Sequence, residues 1–386
     1  MALSYTQFID YLSWRAGQQQ IPLSGTFELT SRCNLNCKMC YIHRKEQDQC
    51  ARRQELSTED WLGLAKAAQE QGMLLLLLTG GEPFVRNDFW KIYQGCKALG
   101  LSVSINTNGT LLTAQNIQKM CEDPPARINL TLYGTSRETY EHLCGNENAF
   151  DRVMEVIHEL RRQKMPLKLN YSVTSYNQKE FQDACKLATD LEIPIQAATY
   201  MFPPVRTSDP SEQIIQRLTP QEAAKAAFFY DQSRFSEAQI RQKCEQIQNL
   251  RFQGADIVGE MQNVSKQMEK MSCRAGSTAF WINWKGQMQL CGMMEQPVAA
   301  VSPENFAEVW HQMRQEREKI FLPKTCSHCE WRTYCECCPA ACYGENRRYD
   351  MTPAYLCEKM ATYRKLAKKY LHIHPVIPNE TKLTLN

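Results

Sequence analysis

No apolar stretch in this chain exceeds Met73–Leu78, whereas a membrane-spanning helix needs about 20 apolar residues. The opening residues Met1-Ala2-Leu3-Ser4-Tyr5 lack a basic run followed by an apolar one, so no secretory signal is expected. Neither sign of charge dominates: the formal net charge is +3, which implies neither a nucleic-acid stripe nor a membrane patch. Internal repeats and low-complexity tracts are also lacking. What remains is a globular composition, 43% hydrophobic and 23% charged. At 386 residues, one large and one smaller domain are expected. The abundant residue is cysteine, with 18 copies. In a large chain without a secretion signal, cysteines bind metal more often than they form disulfides. A reducing, cytoplasmic, anaerobic bacterial setting is expected.

Cys33, Cys37 and Cys40 form a C-x3-C-x2-C motif. Three thiolates so spaced can hold three irons of a 4Fe–4S cluster and leave the fourth open to a small molecule. The same spacing is compatible with half of a zinc site, although zinc favours paired C-x2-C knuckles. A second motif, Thr79-Gly80-Gly81-Glu82-Pro83, follows the apolar run. Taken alone it is a turn after a strand. Read as a site, its glycines let backbone amides approach a ligand, and Glu82 offers a carboxylate to an amino group. Together the two motifs resemble the radical S-adenosylmethionine (SAM) superfamily, in which SAM chelates the open iron. The resemblance assigns Gly80, Gly81, Glu82 and Pro83 to SAM.

Short β-rich runs at 25–30, 73–79, 101–107, 127–133, 167–174 and 194–200 alternate with helical stretches near 58–71, 87–99, 113–121, 149–164 and 178–190. A helix over 4–18, ended at Gly17, precedes them. Ser57-Thr58-Glu59-Asp60 has the form of a capped first turn. The alternation predicts an α/β fold with a parallel sheet. Six units match the partial (β/α)6 TIM-like barrel of radical SAM enzymes, whose ligands bind at the carboxyl ends of the strands. The expected organisation is an N-terminal helix to residue 24, the barrel over 25–209, a helical connector over 210–272, a cysteine-rich domain over 273–357 and a tail over 358–386. Pro203 to Pro210 reads as a linker. Residues 219–271, interrupted at Gly254 and Gly259, read as a connector or as a lid over the barrel mouth.

Polar residues end the third and fourth strands. By resemblance, Thr107, Asn108 and Thr131 contact the carboxylate or ribose of SAM; otherwise Asn108-Gly109 is a turn. One departure stands out. Related enzymes carry Arg-Gly after the fourth strand, where this chain has Cys144-Gly145. Another cation replaces the arginine, or Cys144 is a buried small residue, or its weak S–H bond makes it a hydrogen-atom donor in catalysis.

A second cysteine system begins at Cys273, runs through a β-hairpin pattern over Ala279–Leu290 to Cys291, and continues as Cys326-x2-Cys329-x5-Cys335-x2-Cys338 and Cys357. It resembles the SPASM extension, which carries two auxiliary iron–sulfur clusters. By that resemblance Cys326, Cys329, Cys335 and Cys357 hold one 4Fe–4S cluster, and Cys273, Cys291 and Cys338 hold the other incompletely. The gap after Cys335 is one residue shorter than usual, and Cys337 and Cys342 are additional. Either of these, or Cys244, is available as a further ligand. A zinc ribbon is the competing assignment. Cys96, Cys121 and Cys185 fall on predicted helices as core residues, and Cys50, in the loop beyond the first cysteine group, is assigned no role.

The resemblance implies reductive cleavage of SAM to a 5′-deoxyadenosyl radical, which abstracts hydrogen from a peptide or protein side chain. Cross-linking, oxidation or epimerisation would follow. A small-molecule substrate is the alternative, and a non-catalytic iron–sulfur or zinc scaffold is the rival class. Flavodoxin or ferredoxin is the implied electron donor. Thirty-two residues precede Cys33, so no fused leader-binding domain is expected and a separate leader-binding protein is the candidate partner.

Overall fold

The structure is a computed structural model that describes residues 5–42, 44–204, 216–250 and 269–374. The linker from 205 to 210, the connector residues Gly254 and Gly259, and the tail from 375 lie outside the described residues.

Six strands build the expected parallel array: β1 (Ser24–Glu28), β2 (Leu75–Thr79), β3 (Ser102–Thr107), β4 (Arg127–Thr131), β5 (Leu167–Ser172) and β6 (Ile195–Ala198). Each pairs in parallel with the next, in registers such as Phe27↔Leu78, Leu78↔Ile105 and Ile105↔Ile128. Their alternating apolar residues face the crossover helices. Phe27 lies 4.8 Å from Trp61 on helix α2 (Thr58–Glu70). That helix starts where the sequence predicts: Ser57 and Asp60 form a reciprocal capping box, satisfying donors that the first turn would otherwise leave open.

Three elements depart from expectation. Helix α1 spans Tyr5–Gln19 and runs through Gly17. The chain turns one residue after the helix, at Gln20, whose φ is +61°. Helix α5 (Arg137–Cys144) was not expected as a separate element, although Ser136 caps its start and Gly145, at φ +69°, ends it in the left-handed conformation that glycine favours. It follows α3 (Phe89–Ala98) and α4 (Ala114–Glu122) and precedes α6 (Asn148–Arg162) and α7 (Phe181–Asp190).

The third departure is the place of the carboxyl-terminal hairpin. Its strands β7 (Ala279–Ile282) and β8 (Gln287–Gln289) form as predicted, with β9 (Val298–Ala300) added. The hairpin does not stand apart. Strand β7 pairs in parallel with β1, Ser24↔Ala279 through Phe27↔Ile282, to make one nine-stranded sheet among the described residues. A Cβ on Gly25 would meet Phe280 at 2.7 Å, so only glycine lets that ring lie against β1. Phe280 then packs edge-on to Phe306 and Trp310 of α10 (Phe306–Arg317).

Within the expected connector, α8 (Pro220–Arg234) and α9 (Glu237–Asn249) are helical. They share a small core with α12 (Ala354–Ile373), which follows α11 (Pro339–Asn346), through Phe228, Ile240, Ile247, Tyr363 and Tyr370. Among the described residues, no helix is long and apolar enough to cross a membrane.

Because Phe280 joins two regions in one core, Phe280→Ala is expected to cost about 3–5 kcal/mol. Denaturant unfolding followed by near-UV dichroism and by tryptophan fluorescence should show one earlier transition, not two.

Candidate functional site

The cysteine loop leaves β1 at Leu29, whose amide donates to the Thr79 carbonyl, 2.8 Å. Two further straps follow: Gly81 N–H to Thr30 O, 2.7 Å, and Glu82 N–H to Arg32 O, 2.9 Å. A Cβ on Gly80 would stand 2.6 Å from the Thr30 carbonyl oxygen, and one on Gly81 2.3 Å from that of Arg32. The glycines are therefore required by the close approach of the cysteine loop itself. The Gly81 amide serves this strap.

Side chains reinforce the straps. Arg32 grips Glu55 with two donors, at 2.7 and 3.1 Å, and Thr30 also hydrogen-bonds Glu55. Arg86 reaches Glu55 at 3.6 Å, donates to the Leu29 and Leu56 carbonyls at 3.0 Å and pairs with Asp88. Arg32, Glu55 and Arg86 are all buried, so each charge depends on the others for compensation.

At the end of β3, Thr107 and Asn108 are buried and close the site from the other side. The Thr107 hydroxyl and the Asn108 backbone amide donate to Glu82, at 3.0 and 2.7 Å, joined by the Phe84 amide at 3.1 Å. Burial pushes the Glu82 carboxyl up to about 7, with these hydrogen bonds opposing the rise. The Asn108 side-chain amide donates to Asn34 at 3.0 Å and to the Cys33 sulfur at 3.6 Å. Asn34 in turn donates to Thr110, 2.8 Å. The Cys33 thiol is raised by burial and then by the nearby Glu82 carboxylate, with Cys37 and Cys40 adding to the rise. Gly80, Gly81, Glu82, Thr107 and Asn108 thus gather around Cys33, and buried Pro83 starts the short turn Pro83–Val85. Thr131 ends β4 in register with Asn170.

Cys37 is held by α5. The amides on either side of it donate to the carboxyl-terminal turn of that helix: Asn36 N–H to Cys144 O, 3.0 Å, and Lys38 N–H to Leu143 O, 2.9 Å. The neighbouring Cys144 and burial hold the Cys37 thiol well above the usual thiol range, and Tyr133 opposes the rise. Cys144 is 1% exposed. This contact was not legible in the sequence; the Ser136 and Gly145 caps were the local signal for the helix that makes it.

All 18 cysteines are free thiols. Cys326, Cys329, Cys335, Cys337 and Cys357 line one small cavity, alongside Trp331, Leu356 and Met360. Burial pushes Cys335 up to about 12, with Cys357, Cys326 and Cys329 adding to the rise. Burial pushes Cys338 up to about 11, and the nearby Cys291 and Cys273 add to the rise. The Cys337 sulfur lies 3.5 Å from Cys326 and 3.7 Å from buried Cys342. Cys244 packs in the separate core of α8, α9 and α12, away from both groups. Cys96 and Cys185 are buried in the main core, Cys121 packs against it, and Cys50 is exposed. Among the described residues, no three His, Cys, Asp or Glu side chains converge on a single-ion site; the thiols stand around a cavity wall.

Removing Glu55 takes the carboxylate from the buried Arg32 guanidinium and leaves buried Arg86 with Asp88 alone. Glu55→Ala is expected to destabilise the protein by about 3–5 kcal/mol and to lower iron retained after anaerobic reconstitution, measured by thermal melting and iron analysis.

Residues 27–188 match the profile of the Radical SAM superfamily. The AdoMet-dependent heme synthase of Oleidesulfovibrio alaskensis is 28% identical over 351 residues, covering 89% of this chain and 87% of that protein. The fold is shared with Streptococcus suis SuiB bound to S-adenosylmethionine, at a TM-score of 0.64 and 15% identity, over 92% of this chain and 83% of SuiB. It is also shared with anSMEcpe bound to AdoMet and Cp18Cys peptide, at a TM-score of 0.64 and 16% identity, over 91% of this chain and 98% of that one. With its cysteine loop and Gly-Gly-Glu-Pro turn strapped together at the carboxyl ends of β1 to β3, the chain carries a radical SAM domain, which implies a 4Fe–4S cluster and SAM.

Proposed function

We propose that this protein reductively cleaves SAM and uses the resulting radical to abstract hydrogen from a peptide or protein side chain. The observation that carries the reading is the continuous network from Cys33 through Asn108 to Glu82, which puts three soft thiol donors beside a buried carboxylate at one end of a parallel barrel. Three cysteine thiolates suit iron and leave one position free, so Cys33, Cys37 and Cys40 are assigned as the ligands. When bound, the cluster supplies the electron that breaks the S–C5′ bond of SAM, releasing methionine and a 5′-deoxyadenosyl radical. The chain's own residues orient and enclose: Gly80 to Pro83, Thr107, Asn108 and Thr131 surround the SAM position, and the apolar wall behind Cys37 excludes water from that side.

Support for a peptide substrate comes from anSMEcpe, a protein of this fold whose solved structure holds a peptide. The second reading, a small molecule, is favoured by the near full-length relative named heme synthase. In either case Cys326, Cys329, Cys335 and Cys357 are assigned to one auxiliary cluster, and Cys273, Cys291 and Cys338 to a less complete one. Flavodoxin or ferredoxin would supply electrons, in the cytoplasm, and a separate leader-binding protein would deliver a peptide.

Anaerobically reconstituted protein with a strong reductant is expected to form 5′-deoxyadenosine, and the combined Cys33→Ala, Cys37→Ala and Cys40→Ala variant to form none. Product from that variant would overturn the assignment. Co-expression with peptides encoded beside this protein, followed by mass spectrometry, separates the readings: a defined mass loss or deuterium uptake marks a peptide, and turnover of a small molecule without either marks the alternative.

The same triple variant tests the second cysteine system. Two full auxiliary clusters predict about eight irons per chain by metal analysis with Mössbauer spectroscopy. Zinc in place of iron would remove the auxiliary clusters and leave the radical site standing.

A further inference from the structure

Cys337 is one thiol more than a cluster beside it needs. It follows Cys335 by two residues and lines the same small cavity as Cys326, Cys329, Cys335 and Cys357, whereas its neighbour Cys338 does not. The backbone at Cys338 is extended, with φ −146° and ψ 167°, and successive side chains of an extended chain point to opposite sides. Cys337 therefore stands with the Cys326 group. It is not the missing ligand of the group formed by Cys273, Cys291 and Cys338.

Two sulfurs touch it. The Cys337 thiol donates to the Cys326 sulfur at 3.5 Å, and its own sulfur lies 3.7 Å from that of Cys342. Cys342 is fully buried on α11, where its amide donates to the Cys338 carbonyl at 3.0 Å. The three thiols thus run in a row, from the core at Cys342 to the cavity wall at Cys326. Thiolates on separate irons of one cluster are held apart by the cluster itself, so two sulfurs in contact cannot both be its ligands. Of the touching pair, Cys326 shares a C-x2-C spacing with Cys329, and Cys337 has a second thiol behind it.

Ligation to iron removes the proton from Cys326 and leaves its sulfur an acceptor only. The proton of the 3.5 Å contact then belongs to Cys337, and Cys342 has an S–H to donate to Cys337 in turn. Reduction adds negative charge to a poorly solvated group, which burial by itself opposes. Hydrogen bonds to the sulfurs of a cluster offset that cost and are among the determinants of its reduction potential.

We propose that Cys337 is a positioning residue, not a ligand: backed by Cys342, it donates an S–H···S hydrogen bond to the Cys326 thiolate and raises the reduction potential of the auxiliary cluster held there. This rests on the reading that Cys326, Cys329, Cys335 and Cys357 ligate that cluster.

The test is a redox titration followed by electron paramagnetic resonance. It uses the reconstituted full chain in the Cys33→Ala, Cys37→Ala and Cys40→Ala background, so that only auxiliary clusters give signals. The relevant signal is the one lost on adding Cys329→Ala. Cys337→Ala should keep the iron content and lower the potential of that signal. At a fixed poise its reduced-to-oxidised ratio should fall roughly two- to ten-fold, the scale of one hydrogen bond. Cys337→Ser, which retains a donor, should restore most of it, and Cys342→Ala should lower the ratio by less than Cys337→Ala does. An unchanged potential in Cys337→Ala overturns the proposal. Iron loss in Cys337→Ser also overturns it, by making Cys337 a ligand. If the background variant has no signal that depends on Cys329, the auxiliary-cluster assignment itself fails, an outcome separate from an unchanged potential.

Discussion

The contact between the cysteine loop and the turn after β2 organises the rest of the site. Two backbone hydrogen bonds, from the amides of Gly81 and Glu82 to the carbonyls of Thr30 and Arg32, bring the chains so close that no Cβ fits at either glycine. Buried charge surrounds this contact. Glu55 holds Arg32 and Thr30 on the loop, while Arg86 ties Glu55 to the backbone of Leu29. The loop that carries the three cysteines is thereby tied to the sheet at its start.

The carboxyl-terminal region is joined to that framework through β1, the strand that launches the cysteine loop. Strand β1 pairs with β2 on one side and with β7 on the other. Trp281 of β7 donates its indole N–H to Glu28, the last residue of β1, at 2.7 Å. The same ring leaves no room for a side chain at Gly292, the neighbour of Cys291. A single side chain thus spans from the strand before the first cysteine group to the loop of the second. The two groups share a sheet, and their separation is set by strand spacing, not by a flexible linker.

The extra cysteines also acquire distinct meanings from their surroundings. Cys96, Cys185 and Cys244 are enclosed by apolar side chains and act as small core residues. Cys337 instead contacts sulfur, that of Cys326 and that of Cys342. Cys144 ends the helix whose last carbonyls accept the amides flanking Cys37.

Local chemistry was legible in the sequence because it depends on near neighbours. The thiol spacing of Cys33, Cys37 and Cys40, the capping box at Ser57 and Asp60, the hairpin around Gly286 and the six alternating strands and helices all follow from patterns within a few residues. Glu82 and Asn108 were also identifiable as polar residues at strand ends. Their joint hydrogen bonding was not, because it links positions 26 residues apart. The parallel pairing of β1 with β7 joins segments separated by most of the chain, and Gly25 gains its meaning only when Phe280 lies over it. Cys144 looked like a lost arginine until α5 placed it against Cys37. Sequence by itself determined which chemical groups this protein possesses and which strands carry them. Tertiary structure alone decided which groups touch, because steric exclusion and burial act between surfaces that meet only after the chain has folded.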